Sequence, residues 1–157
     1  MAAAGLDATH PACVVATWFG AGRLPRAPGT WGSLAALPFA AALAWLGGRW
    51  LVLLAALAVF GLGVWASDRY MAACGLHDPG AIVVDEVVGQ WLTLALLPLT
   101  PIAYLMGFVL FRIADMLKPW PAAWIDRTMA GGIGVMLDDV VAAIYAGGLA
   151  LVLVWLP

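Results

Sequence analysis

The chain has 157 residues, 65% of them apolar and 10% charged, with a formal net charge of −2 and a mean hydropathy of +1.01. That length suits one domain, and so apolar a composition excludes an ordinary soluble globule and predicts an integral membrane protein. Seven scattered Lys and Arg residues cannot build the basic face that phosphate-backbone binding needs, which excludes nucleic acid as a partner.

From Met1 to about Arg26 no basic stretch leads into an apolar run, so no cleavable signal peptide is expected. Residues 1–17 read as the N-terminal tail of a single domain spanning 1–157. Cys13 and Cys74 form no CxxC pair and are expected to be buried, reduced small side chains. Five apolar segments follow, about Gly32 to Leu46, Trp50 to Ser67, Ile82 to Pro98, Pro101 to Leu117, and Asp138 to Leu156. Most fall a little short of the ~20 residues that cross ~30 Å of hydrocarbon, and Pro38 predicts a kink in the first. Leu99-Thr100, between Pro98 and Pro101, predicts a tight helical hairpin. The expected fold is all-α, an integral membrane bundle with about four to five membrane-embedded helices.

Basic residues favour the cytoplasmic side in short loops. With the N-terminus inside, Arg23, Arg26, Arg69, Lys118 and Arg127 are cytoplasmic and only Arg49 lies outside. The same topology carries eight of the nine acids, Asp68, Asp78, Asp85, Glu86, Asp115, Asp126, Asp138 and Asp139, to the cytoplasmic edge. Carboxylates near hydrocarbon are costly, and so many at one edge mark a functional site.

Asp85-Glu86 and Asp138-Asp139 are adjacent pairs near helix starts, where first-turn acids also complement the helix dipole. Gly89, one turn after Asp85, admits a close neighbouring backbone. Arg112, Asp115 and Lys118 recur at three-residue steps and so share one helical face, alternating cation, carboxylate and cation. Such a row suits a metal-associated phosphate, although an intrahelical ion pair uses the same residues. Pro28-Gly29-Thr30-Trp31-Gly32-Ser33 opens a helix with hydroxyls that serve equally as an anion site or an N-cap. His77-Asp78 supplies either a proton donor or a turn, and Gly131-Gly132 with Gly134 reads as a mobile linker.

Carboxylates without His or Cys clusters favour a hard dication, and Mg²⁺ is the usual partner of substrate phosphates. Water attack on a phosphomonoester is the chemistry these groups suit. Other phosphatase plans fail on spacing: neither Cys has an Arg six residues later, no Asp-x-Asp pair is present, and Lys118 has no Arg-Pro seven residues on. The spaced acidic signature of CDP-alcohol phosphotransferases is also missing.

Taken in order, Pro28-Gly29-Thr30, Gly32-Ser33, His77-Asp78, Asp85-Glu86, Gly89, Phe111-Arg112, Asp115, Lys118-Pro119-Trp120-Pro121, Asp126-Arg127, Gly131-Gly132 and Asp138-Asp139 resemble the phosphatidylglycerophosphatase A family, from about Trp18 to Tyr145. The resemblance implies a Mg²⁺-dependent phosphatase of the bacterial inner membrane, multi-pass with its active site on the cytoplasmic side. It further implies that the enzyme converts phosphatidylglycerophosphate to phosphatidylglycerol and phosphate. Asp85, Glu86, Asp115 and Asp139 are the expected catalytic residues, the same four with Asp138 the expected metal ligands, and Thr30, Ser33, Arg112 and Lys118 the expected substrate contacts. Spacing singles out no one base among the acids. An ion-coupled carrier would place acids at mid-membrane or on both faces, and a noncatalytic lipid-binding subunit would use them as headgroup contacts.

Overall fold

A computed structural model of the chain describes residues 6–155, all-helical with no strand among them; residues 1–5 of the expected tail and Leu156 of the fifth segment lie outside. Six α-helices follow in order: α1 (Pro11–Ala16), α2 (Pro28–Cys74), α3 (Val84–Leu94), α4 (Pro101–Leu117), α5 (Ala122–Thr128) and α6 (Gly131–Trp155). Helix α1, inside the stretch read as a tail, buries Ala12, Cys13 and Ala16 against α2, and its Ala16 carbonyl accepts the Val83 N–H at 2.9 Å.

Helix α2 leaves helical dihedrals at Gly47 and Gly48, where Gly48 takes φ 65° and ψ −165°, a conformation that side-chain-bearing residues avoid. A continuous helix would hold Gly32 and Gly63 about 46 Å apart. Gly32 instead packs on Val83, and Gly63 lies beside Val84. The chain therefore doubles back at Gly47-Gly48, and the two arms of α2, residues 28–46 and 49–74, return to the same end of the bundle.

Only α2 and α6 are long and apolar enough, as helices of the described residues, to cross a membrane. This corrects the expectation of four to five. Segments 32–46 and 50–67 fall on the two arms of α2, separated at Gly47-Gly48 as expected, whereas segment 82–98 contains a helix of only 11 residues and about 16 Å, and α4 has 17 residues.

Helix α3 sits at the centre, packed on α2, α6 and α4. Trp91 Nε1 donates to the Ala36 carbonyl at 2.9 Å and ties α3 to the first arm of α2. The α4–α6 seam is built from Phe111, Ala114, Ala142, Ala143 and Ala146. Small residues let these backbones approach without a hydrophobic drive of the kind water supplies. A Cβ on Gly89 would overlap the Phe111 ring and lie 3.0 Å from the Asp139 carbonyl, so this glycine sets the α3–α4–α6 spacing. Thr100 caps α4 by accepting the Ala103 N–H at 3.3 Å, and α3 and α4 pack together as expected, but through a connector of residues 95–100 rather than Leu99-Thr100 alone.

The residues read as a mobile linker form the first turn of α6 instead. Asp68 Oδ1 accepts the Gly132 N–H at 2.6 Å and pins that turn to α2. Backbone contact at Gly132 and Gly134 with Val64 and Met129 explains why these positions are small.

Gly89→Val is expected to lower the unfolding midpoint in detergent, since overpacking costs about 1–3 kcal/mol. Gly61→Ala, where a Cβ meets nothing within 4 Å, should leave it unchanged or raised. Equal midpoints for the two variants would show that Gly89 does not set the helix spacing.

Candidate active site

A cavity of about 330 Å³ opens at the end of the bundle where α3 starts and α4 stops. Asp78, Asp85, Glu86, Asp115, Asp138 and Asp139 line it, facing only Arg112 and Lys118 as cations, with Pro28, Gly29, Ile82 and Met116 in the remaining wall. A second cavity of about 310 Å³ lies at the opposite end, beside Gly48 and Leu94, and has Arg49 as its single charged residue. Its lining offers no acid or nucleophile, so the chemistry belongs to the first.

Asp85 and Glu86 occupy the first turn of α3, where the N-cap Val83 provides no side-chain acceptor. Their charge faces the unpaired N–H end of that helix. Asp139 comes from α6, and one carboxylate oxygen from each of Asp85, Glu86 and Asp139 lies within 4.8 Å of the other two. Asp85 Oδ1, Glu86 Oε2 and Asp139 Oδ2 are buried without any hydrogen-bond partner. Converging anionic oxygens without donors fit a hard, oxygen-liganded dication, which supplies the missing positive charge.

The neighbouring acids are occupied differently. Arg112 forms an ion pair with Asp115 and lies 3.6 Å from Glu86 Oε1, so it bridges α4 to α3. Lys118 Nζ donates to Asp126 Oδ1 and Asp138 Oδ2, both at 2.7 Å. Burial acts to lower the Lys118 pKa, but the ion pairs with Asp126 and Asp138 outweigh it and hold the ammonium above its ordinary value. Lys118 ends α4 in the left-handed region, φ 44°, where a glycine is the common choice. That turn, followed by Pro119 and Pro121, brings the chain back so that Asp126 on α5 reaches the ammonium.

Of the residues singled out by sequence, Asp85, Glu86, Arg112, Asp115, Lys118, Asp138 and Asp139 meet in the cavity. Thr30 and Ser33 do not line it. Gly29 faces the site; Thr30 is rotated by about 100° from it, and Ser33, one turn deeper, is fully buried. Of the five acids named as metal ligands, Asp115 and Asp138 are engaged by Arg112 and Lys118, and three remain to converge. His77 is exposed, whereas its neighbour Asp78 forms part of the wall. Asp126 was missed as a partner of Lys118, because eight residues across a proline turn leave no periodic signal.

The phosphatidylglycerophosphatase A family model matches residues 14–154. The chain is 41% identical over 145 residues to phosphatidylglycerophosphatase A of Escherichia coli, covering 92% of this chain and 84% of that protein. It is 41% identical over 138 residues to the Haemophilus influenzae protein of the same name, covering 87% and 85%. It is also 38% identical over 155 residues to a Bacteroides thetaiotaomicron protein with the provisional name phosphatidylinositol-3-phosphatase, covering 90% and 92%. No solved structure matches the chain.

A Cβ on Gly29 would overlap Glu86 Oε1 and stand 3.2 Å from Arg112 Nη1. Gly29→Val is therefore expected to displace Glu86 and cut phosphomonoester hydrolysis about 100-fold, with cooperative unfolding retained. Turnover near that of the unaltered protein would place the reacting groups elsewhere.

Proposed function

Because the chain belongs to the phosphatidylglycerophosphatase A family, we propose that it is a Mg²⁺-dependent lipid phosphatase that hydrolyses the terminal phosphomonoester of phosphatidylglycerophosphate to phosphatidylglycerol and phosphate. The observation that carries this reading is the trio of unpartnered carboxylate oxygens from Asp85, Glu86 and Asp139, set beside Arg112 and Lys118. The ion they hold would supply charge neutralisation and Lewis acidity at the phosphate oxygens.

The side chains do the rest. Arg112, braced by Asp115, presents a guanidinium to the phosphate, and Lys118, braced by Asp126 and Asp138, presents an ammonium from the adjoining wall. Their spacing fixes the phosphate against the carboxylates. A water attacks phosphorus in line, the bond from phosphorus to the glycerol oxygen breaks, and a carboxylate of the cluster accepts the water's proton. The carboxyl group passes that proton to the leaving glycerol oxygen, which becomes the hydroxyl of phosphatidylglycerol and restores the carboxylate.

In this reading the protein sits in the bacterial inner membrane as a multi-pass bundle with the acidic end toward the cytoplasm. Arms 28–46 and 49–74 of α2 and helices α4 and α6 cross or enter the bilayer, and α3 is a short central helix among them. Supporting this are the apolar lengths of α2 and α6 and the location of Arg49 at the end opposite the acids. Exposed Trp120 and Trp124 beside the site suit a headgroup-level position. The name of the Bacteroides relative favours a second substrate reading, in which a phosphoinositide phosphomonoester occupies the same cavity.

Purified protein in detergent is expected to release phosphate from phosphatidylglycerophosphate only with Mg²⁺, and faster than from phosphatidylinositol 3-phosphate. The reverse preference would install the second reading, and release unaffected by a chelator would remove the metal. Asp85→Asn should lower turnover about 100-fold or more with an unaltered circular dichroism spectrum. In a background without the native cysteines, Arg127→Cys should resist a periplasmic thiol label in intact cells; labelling there would invert the orientation.

A further inference from the structure

Beneath the cavity lies a set of polar groups that the mechanism leaves unused. Gln90 follows Glu86 by one helical turn on the same face of α3. Ser33 follows Gly29, the residue against which Glu86 packs, by one turn on α2. Gln90 and Ser33 are both 0% exposed. Gln90 Nε2, Gln90 Oε1, Ser33 Oγ and Glu86 Oε2 are all buried without a hydrogen-bond partner.

Native interiors pair the large majority of their buried polar atoms, and helical spacing sets the orphaned Gln90 and Ser33 one turn below Glu86 and Gly29, which do meet. Their chemistry matches. The serine hydroxyl donates one hydrogen, the glutamine oxygen accepts, the glutamine nitrogen donates two, and the carboxylate oxygen accepts. An aliphatic side chain at residue 90 would satisfy the packing between Val87 and Leu94 without any such cost.

We propose that Gln90, backed by Ser33, is a positioning residue that holds the Glu86 carboxylate in place. The four atoms have no protein partner within bonding distance, so the hydrogen-bond chain runs through buried water: the Ser33 hydroxyl donates toward Gln90 Oε1, and Gln90 Nε2 donates toward Glu86 Oε2. A carboxylate oxygen carries two lone pairs, so Glu86 accepts this bond and still faces the cation. Ser33 thus acts on the site from beneath its floor and never touches the phosphate. Partners of this kind, one step behind a ligand, typically govern metal affinity or activity by 10–100-fold, which sets the size of the effect to look for (about tenfold or more).

The inference rests on the metal-phosphatase reading of the cavity, and its test separates the two. Mn²⁺ binding by electron paramagnetic resonance, lipid turnover and thermal unfolding are measured on the full chain in detergent for the unaltered protein, Gln90→Leu, Gln90→Met and Ser33→Ala. Both Gln90 variants should bind Mn²⁺ about tenfold more weakly and lose about tenfold in kcat, with KM for the lipid and the unfolding midpoint unchanged. Ser33→Ala should shift both quantities in the same direction by less. Mn²⁺ affinity and kcat equal to the unaltered protein in either folded Gln90 variant would overturn the proposal. Failure of the unaltered protein itself to bind Mn²⁺ or to release phosphate would remove the reading beneath it, and the proposal with it.

Discussion

Six carboxyl groups share one partly desolvated cavity with two cations, and the organisation of this protein follows from that imbalance. Two like charges 4 Å apart repel by about 4 kcal/mol at the effective dielectric of a protein surface, and more where water is excluded. A domain stable by about 5–15 kcal/mol cannot absorb several such pairs without a counterweight. Arg112 and Lys118 neutralise the flanks, and a dication at Asp85, Glu86 and Asp139 would neutralise the centre. A soluble enzyme could lean on bulk solvent to screen its acids. Here the buried oxygens of Asp85, Glu86 and Asp139 lie out of reach of such screening, so in the proposed reading cation and anionic substrate depend on one another.

Holding the acids together is the work of close backbone approach. Gly29 lets α2 come against Glu86 and Arg112, and Gly89 lets α3 come against Phe111 and the Asp139 carbonyl. Residues on four helices, α2, α3, α4 and α6, therefore meet with no room for a Cβ at either glycine. Asp68 contributes by a different route: it reaches the start of α6 through Gly132 and lies outside the cavity wall. The eight acids that topology assigns to one edge divide accordingly into six that line the cavity, Asp126 that braces Lys118, and Asp68 that anchors a helix.

Much of the site was legible in the sequence because charge is conspicuous in so apolar a chain. Asp85-Glu86, Asp138-Asp139 and the three-residue rhythm of Arg112, Asp115 and Lys118 can be read directly, and helical geometry carries them to one end. The break between segments 32–46 and 50–67 was legible, and two helical arms do reverse at Gly47-Gly48; the count of spanning helices was not, because segment 82–98 carries a helix of only 11 residues and α4 has only 17. Segment 82–98 was too long a reading because hydropathy continues past Leu94, where regular helix ends. Thr30 and Ser33 misled for a similar reason: hydroxyls at a helix start are visible in sequence, but the direction they face depends on which residue, here Gly29, meets the partner helix. The Gly131–Gly134 region read as pliable from composition alone, whereas close packing on Val64 and Met129 accounts for its small residues.

The reversal at Gly47-Gly48 lies at the far end of the molecule from the acids, yet it meters them. Both arms of α2 are counted from that fulcrum, so the number of residues between Gly29 and Gly47 decides the height and bearing at which Gly29 arrives beside Glu86. One residue added to that arm would raise Gly29 by about 1.5 Å and swing it by about 100°, while the other arm would still deliver Asp68 to Gly132. A change of chain length in the outer turn thus reaches the chemistry across the full thickness of the bundle with every polar side chain intact.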